Sequence, residues 1–558
     1  MLEKYLPRID FDSYEDFKKN YKVNCPDDFN FAYDIVDGWA KAEPEKKALV
    51  WCDDFGNEKT FTFTDISKMS NQAANMFKAM GLKKGSVCML ILRRRWEYWI
   101  CAVGLMKIGA IIVPGTLQLT KKDIAYRANA AHIEAFVCVD DDYVIEQMEL
   151  ALPEAPCIKN VLGVNLQREG WLNFDEELSK YSDEFERPTG DEATKSTDIM
   201  QIYFTSGTTG MPKMVCHNYL HPLGHIVTAK YWQRVQENKL HMSVSDSGWA
   251  KFGWGKIYGQ WICGAVIFAY DMVGKFHGDK LLNVIEKYKL TTFCAPPTMY
   301  RFMLQEDVAK YDLSSVQHWA TAGEPLNPEV FNKWQEFTGK KIATGFGQTE
   351  GTVLIANFPW FEAKPGTLGK PSPIYDIKLM IDGKECVSGD EGEICICGVD
   401  KNPPVGLFVG YYKDKEKTEE ALGSGIYNLK DVAWRDNDGY YWFVGRHDDV
   451  IKCSGYRIGP FEVESALIEH PAVVECAITA APDPIRGQVV KATVVLAKGY
   501  EPSEALIKEL QNHVKHATAP YKYPRIVEFV DELPKTLGGK IKRAEIRKAD
   551  ADAAGDNK

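Results

Sequence analysis

Apolar runs alternate with amphipathic stretches through most of the chain. SVCMLIL (86–92) and AIIVPG (110–115) are continuous apolar segments, the pattern of strands buried on both faces. Between them, EYWICAVGLMKIG predicts a helix. VIFAYD, LTTFCAPP, SVQHWATAG and KIATGFG repeat the strand followed by a Gly or Pro turn, with helical segments between several of them. That alternation predicts βαβ units and parallel sheet. From Asp376 to Gly410 short alternating strands with Gly turns (DIKLMIDGKE, GDEGEICICG) predict a small antiparallel β subdomain instead. Near residue 448 the pattern changes again, to a compact α+β unit of roughly 110 residues by size, with a helix over Ser503–Ala517. The expected fold is therefore α/β. A large N-terminal region of mixed sheets spans 1–447 and a small α+β domain spans 448–558.

At 558 residues the chain has ample length for a large core, and ~150 residues per domain suggests three or four structural units. It is 45% apolar and 26% charged with a net charge of −11, which speaks against nucleic-acid binding driven by bulk charge. The 14 cysteines are scattered and read as reduced thiols. Cys395 and Cys397 share one strand face without a second pair nearby, so they read as buried strand cysteines rather than a metal site. The acidic N-terminus fits neither a signal nor a transit peptide, and no apolar run reaches ~20 residues, so a cytoplasmic protein without a membrane span is expected. The C-terminal tail KADADAAGDNK is expected to fray. His217, His221 and His225 stand at i, i+4 and i+8, one face of a helix; without a carboxylate or Cys in register they read as helix surface or core.

The sharpest chemical signal is YFTSGTTGMPK (203–213). Gly207 and Gly210 let backbone N–H groups approach an anion, and Thr205, Ser206, Thr208 and Thr209 add hydroxyl donors. Lys213 meets negative charge. The segment is a phosphate-cradling loop by composition, and it lacks the Gly-Lys-[Ser/Thr] ending of a Walker A loop.

TSGTTGMPK resembles the phosphate loop of adenylate-forming enzymes. AGEPL (322–326), GFGQTEGT (345–352), YNLKDVAWRDNDGYYWFVGRHDDVIKCSGYRIGPFEVE (427–464) and LPKTLGGKIKR (533–543) follow in that family's order. The resemblance spans about residues 30–545. GWAKFGWGKIYGQW and APYKYPR are most similar to medium-chain acyl-CoA synthetases. The resemblance implies two half-reactions. A carboxylate attacks the α-phosphate of ATP to give acyl-AMP and pyrophosphate, and the thiol of coenzyme A then expels AMP. It also implies a mobile C-terminal domain that turns between the two steps.

By that resemblance Lys540, in a Gly-rich loop, contacts the acid and the α-phosphate, Thr349 contacts the α-phosphate, and Glu350 holds Mg²⁺. Gly323, Glu324, Pro325 and Phe346 match the adenine slot, with Gly347 and Gln348 beside it. Asp431 and Arg446 match ribose contacts, although Leu429-Lys430 replaces the usual Thr-Gly before the aspartate. Asp448 matches the hinge and Arg457 a phosphate contact of the turned state. Ser454, Gly455 and Tyr456 match the coenzyme A channel. Arg486, Tyr523, Pro524, Arg525 and Gln118 lie where medium-chain relatives hold coenzyme A. Trp249 and Trp254 line the acyl pocket. Gly347 stands where acetyl- and propionyl-CoA synthetases carry a pocket-blocking Trp, so a deeper pocket is expected. The substrates expected are a medium-chain, branched or aryl acid, ATP and coenzyme A. The Gly-rich, basic setting of Lys540 is expected to expose it to a lysine acetyltransferase and deacetylase. The alternatives are a short-chain acyl-CoA synthetase, an enzyme that loads a carrier protein, an inactive nucleotide-binding protein and a luciferase-like oxygenase.

Overall fold

The computed structural model describes residues 1–205, 211–274, 276–401, 403–453, 456–483, 486–535 and 541–555. Two large sheets face each other across helices. The first has eight strands, and its inner strands Ile111–Pro114, Val87–Ile91, Ile133–Val139 and Asn160–Val164 run parallel. The second has fourteen. Its parallel part runs from Ile342–Phe346 through His318–Ala322, Thr292–Ala295, Leu240–Ser243 and Val266–Asp271 to Lys47–Asp53. The antiparallel strands expected as a small β subdomain are present, and they extend this same sheet. Ile355–Ala356 and Thr367–Pro371 join Ile342–Phe346 to Tyr441–Arg446 and Ile426–Arg435 without a break in pairing.

The helix Glu97–Lys107 shows why the sheets pack this way. It is apolar around its whole circumference, and all eleven of its residues are buried. Such a helix needs cover on every side, and the main core joins it to residues of both sheets, among them Leu90, Ile112, Leu49 and Ile267. Its two charged ends are neutralised in place: Arg95 donates to Glu97 (3.0 Å), and Lys107 donates to Asp37 (2.7 Å) and Asn71 (2.6 Å). Among the described residues no helix is long and apolar enough to cross a membrane.

From Ile451 on, the chain builds its own five-stranded sheet, covered by the helices Pro460–Ile468 and Glu504–Ala517. The tail expected to fray is helical to Gly555. Asp550 accepts a hydrogen bond from buried Lys491, which anchors that last helix. All fourteen cysteines are free thiols; Cys395 is buried and Cys397 half-buried on their strand.

Gly104 lets the central helix approach Phe63–Ala79 closely: a Cβ there would lie 2.8 Å from Ala73 Cβ and 3.1 Å from Ser70 O. Replacing Gly104 by Leu should force the two helices apart and cost about 2–3 kcal/mol, measured as a lower urea midpoint at unchanged slope.

Candidate active site

The ends of the parallel strands meet the antiparallel extension at one crevice, the place where open α/β sheets bind ligands. Strand His318–Ala322 ends at Gly323, whose φ of +102° is the left-handed region that favours glycine. The Glu324 carboxylate accepts from Thr298 Oγ1 (2.8 Å), and Thr298 Oγ1 in turn accepts from Arg301 (2.9 Å). Lys251 donates to Ala322 O from the facing helix. Pro325 is half-buried beside them. The neighbouring strand ends at Phe346, whose ring lies 6.1 Å from that of Phe443.

The residues that follow are held tightly. Gln348 Nε2 donates to Asp431 Oδ2 (2.6 Å) and to Leu429 O (2.7 Å), and its Oε1 accepts from Tyr427 Oη (3.2 Å). Asp431 is buried and stands in register opposite Arg446, whose Nε is 3.7 Å from Asp431 Oδ1. The Thr349 carbonyl accepts from His217 Nε2 (2.8 Å), and the Glu350 carbonyl from Phe408 N (2.7 Å). Burial pushes the Glu350 carboxyl above its ordinary pKa, against the pull of Lys213 and Arg446 and with the Asp431 charge adding to the rise.

The phosphate-loop segment joins two antiparallel strands, Ile199–Thr205 and Lys213–Asn218, with Thr205 and Lys213 paired opposite each other. Lys213 Nζ lies 5.1 Å over the Tyr411 ring. Ser206, Gly207, Thr208, Thr209 and Gly210 lie outside the described residues, as do Ser454, Gly455 and Lys540. Lys535 and Ile541, on either side of the Lys540 segment, pair antiparallel.

The three histidines do not share a helix face. His217 sits on the strand Lys213–Asn218, and the helix begins only at His221. All three are buried, and burial holds each well below the usual imidazole pKa. They are therefore neutral, and their contacts fix the tautomers. His221 Nδ1 donates to Gly406 O (3.2 Å), so His221 Nε2 accepts from His225 Nε2 (3.0 Å), and His225 Nδ1 accepts from Thr228 Oγ1 (3.3 Å). The function of His217, to hold the Thr349 carbonyl, has no local sequence signal. Among the described residues no cluster of His, Cys, Asp or Glu forms a metal site.

Gly347 does not leave empty space. A Cβ there would lie 2.4 Å from Trp254 Cη2 and 2.7 Å from Thr352 O. The nearly buried Trp254 indole, edge-on to Trp232 at 6.2 Å, fills the room that the glycine vacates. The extra depth expected from the glycine is thus occupied by a tryptophan from another segment. Trp249 is half-buried at the start of the helix Ala250–Gly255.

The predicted coenzyme A residues are spread over two regions. Gln118 is exposed after the strand Ile111–Pro114. In the C-terminal unit Tyr456 stacks on Tyr521 (4.2 Å), Arg525 donates to Tyr523 Oη (2.8 Å), Pro524 is buried, and Arg486 lies 3.8 Å from Asp483. Arg457 is exposed, and its charge lowers the pKa of Glu391 against a larger effect of burial. Asp448 stands between two anchors. Arg446 is tied to Asp431, while Asp449 accepts from Arg547 (2.5 Å) on the last helix.

Models of the AMP-binding enzyme match residues 36–412, and of its C-terminal domain residues 462–540. The chain belongs to the AMP-binding enzyme family. Within this family it is 42% identical over 549 residues to acyl-coenzyme A synthetase ACSM3, mitochondrial, of Pongo abelii, covering 96% of this chain and 92% of that protein. It is 43% identical over 546 residues to the human ACSM4 synthetase, covering 95% and 93%. The anthranilate CoA ligase AuaEII in complex with anthranoyl-AMP superposes with a TM-score of 0.86 at 29% identity, covering 95% of this chain and 99% of that one. A benzoate CoA ligase from Burkholderia xenovorans LB400 does so with 0.80 at 25%, covering 93% and 100%. Membership makes the chain an AMP-forming acyl-CoA synthetase that uses ATP and coenzyme A.

The family departure at Leu429-Lys430 leaves a trace in the backbone. Lys430 has a φ of +62°, the conformation that glycine adopts freely. Asn428 Oδ1 accepts from Lys430 N (2.8 Å) and His447 N donates to Lys430 O (2.9 Å), which together hold it there. Replacing Lys430 by Gly should relieve about 1 kcal/mol of this strain and raise the melting temperature without changing the KM for ATP. A lower melting temperature would show that the lysine is not strained.

Proposed function

We propose that the chain converts a medium-chain, branched or aryl carboxylic acid to its acyl-AMP and then to its acyl-CoA. The observation that carries this reading is the Gln348 bridge, which fixes Thr349 and Glu350 next to Asp431 at the crevice. Asp431 offers carboxylate oxygens to ribose hydroxyls. Lys213 and Lys540 supply the positive charge that lets one anion attack another, since phosphoryl chemistry is governed by positioning and charge stabilisation. Glu350 is a hard oxygen donor with a second carboxylate near it, which fits Mg²⁺ bound by few carboxylates together with substrate phosphates. Bound there, Mg²⁺ would neutralise phosphate charge.

The separate anchoring of Arg446 and Asp449 supports Asp448 as the hinge, with 1–447 and 448–558 as the two moving parts. After the turn, Gly455 and its neighbours would line the thiol's path, with Arg457, Arg486, Tyr523 and Arg525 on the nucleotide. Modification of Lys540 by an acetyltransferase would remove the charge the first step needs. The relatives above carry the word mitochondrial in their names.

A panel of acids, read as coenzyme A-dependent AMP release and as hydroxamate formed from acyl-AMP when coenzyme A is omitted, tests the proposal. Lys540→Ala should lose acyl-AMP formation yet still convert supplied acyl-AMP, and Gly455→Leu should show the reverse. Equal loss of both half-reactions in both variants would refute the two-state reading. The acyl wall has its own test. Trp254→Ala should open the space beside Gly347, and each added methylene that enters it contributes ~0.8 kcal/mol. The octanoate-to-hexanoate ratio of kcat/KM should then rise by about tenfold; an unchanged ratio in a folded variant would place the wall elsewhere.

A further inference from the structure

Lys256 follows the helix Ala250–Gly255 and is completely buried. Its carbonyl accepts from Trp99 Nε1 (2.7 Å), which fixes its backbone in the core. Among the described residues its Nζ has no hydrogen-bond partner, and its nearest aromatic contact is the Phe252 ring at 5.6 Å. A buried ammonium with three unused N–H donors is costly unless something accepts from it.

The two carboxylates that act on it are each in an ion pair already, although Asp271 Oδ1 is buried without a hydrogen-bond partner among the described residues. Arg93 lies 3.1 Å from Asp271, Arg94 lies 3.6 Å from Asp246, and Arg95 pairs with Glu97. A protonated Lys256 is therefore the unbalanced charge of this compartment. The other titratable groups facing it add none: the Cys52 thiol is pushed up by burial, and His241 is held down to about 3. Tyr270 is pushed up as well.

Next to these residues lies a cavity of about 20 Å³, lined by Lys256, Arg94, Met242, Val244, Tyr270 and Leu281 among others. Arg94 Nε is also buried without a partner among the described residues. The space is enough for one water-sized particle and too small for a phosphate or a carboxylate. Its walls are largely apolar, so an anion inside would interact strongly with the two cationic donors.

We propose that this cavity is a binding site for one small monovalent anion of the halide class, held between Lys256 and Arg94. The anion supplies the missing charge and accepts the unused N–H donors. It plays no part in acyl transfer, so the inference stands apart from the function proposed above.

Linkage gives the expected pH behaviour. Burial, reinforced by Arg94, lowers Lys256 from the usual lysine value to about 7. Without a partner anion, the unfolded chain binds more protons than the folded one between ~7 and ~10, so stability rises with pH across that window. An anion that binds only the protonated form stabilises the folded state most at the acid end and flattens the slope. Melting temperatures of the full-length protein should therefore be higher in sodium chloride than in sodium gluconate at equal ionic strength near pH ~6, and equal near pH ~9. Lys256→Met should abolish the chloride increment. Wild-type crystals soaked in bromide should show an anomalous peak between Lys256 and Arg94, a readout that does not depend on the variant folding. Equal melting temperatures in the two salts at the acid end, a chloride increment retained by Lys256→Met, or a water at that position in bromide would each overturn the proposal.

Discussion

Two hydrogen bonds from the Gln348 amide hold the candidate site together. They fasten the turn after the parallel strand Ile342–Phe346 to the antiparallel strand Ile426–Arg435, at Leu429 and Asp431. These bonds matter because the two strands belong to parts of one sheet with opposite strand logic. The parallel part delivers strand ends and glycine turns to the crevice, while the antiparallel part delivers side chains in register, as with Asp431 opposite Arg446. An amide that donates to a carboxylate and accepts from a phenol serves both at once. Glu350 is carried along by the same turn, which explains how a carboxylate remains in a setting that raises its pKa.

Much of this was legible from residue pattern. The continuous apolar runs are the parallel strands, and the Gly-rich turns fall at their ends. What escaped was pairing between distant segments. Nothing local in Ile355–Ala356 or Thr367–Pro371 announces that these short strands stitch the antiparallel subdomain onto the parallel sheet. The histidine spacing misled for a related reason. A period of four fits a helix, but Asn218 caps a turn between His217 and His221, with its side chain accepting from Leu220 N (3.1 Å), and that breaks the periodicity. Gly347 misled through volume. A glycine reads as empty space only while the residue that fills it is unknown, and Trp254 lies ninety-three positions away.

Among the described residues, several buried charges follow one rule that Lys256 breaks. Lys107, Lys46 and Glu97 are each fully or nearly fully buried, and each meets an opposite charge. Such pairs add little net stability over apolar packing, but removing one member leaves an uncompensated charge. Lys256 departs from the rule, since its carboxylate neighbours are already taken by arginines.

The histidine relay has a direction. From the Thr228 hydroxyl through His225 and His221 to the Gly406 carbonyl, every bond points the same way, so each ring is donor on one side and acceptor on the other. An extra proton on His225 could be donated to the Thr228 hydroxyl, but one on His221 would set its Nε2–H against the His225 donor, so His221 is the ring that has no place for a charge. Phe408, just beyond Gly406, holds the Glu350 carbonyl. The clasp is thus indifferent to pH while its rings stay neutral, and acid strong enough to charge His221 would break its bond to His225 while leaving its hold on the Gly406 carbonyl.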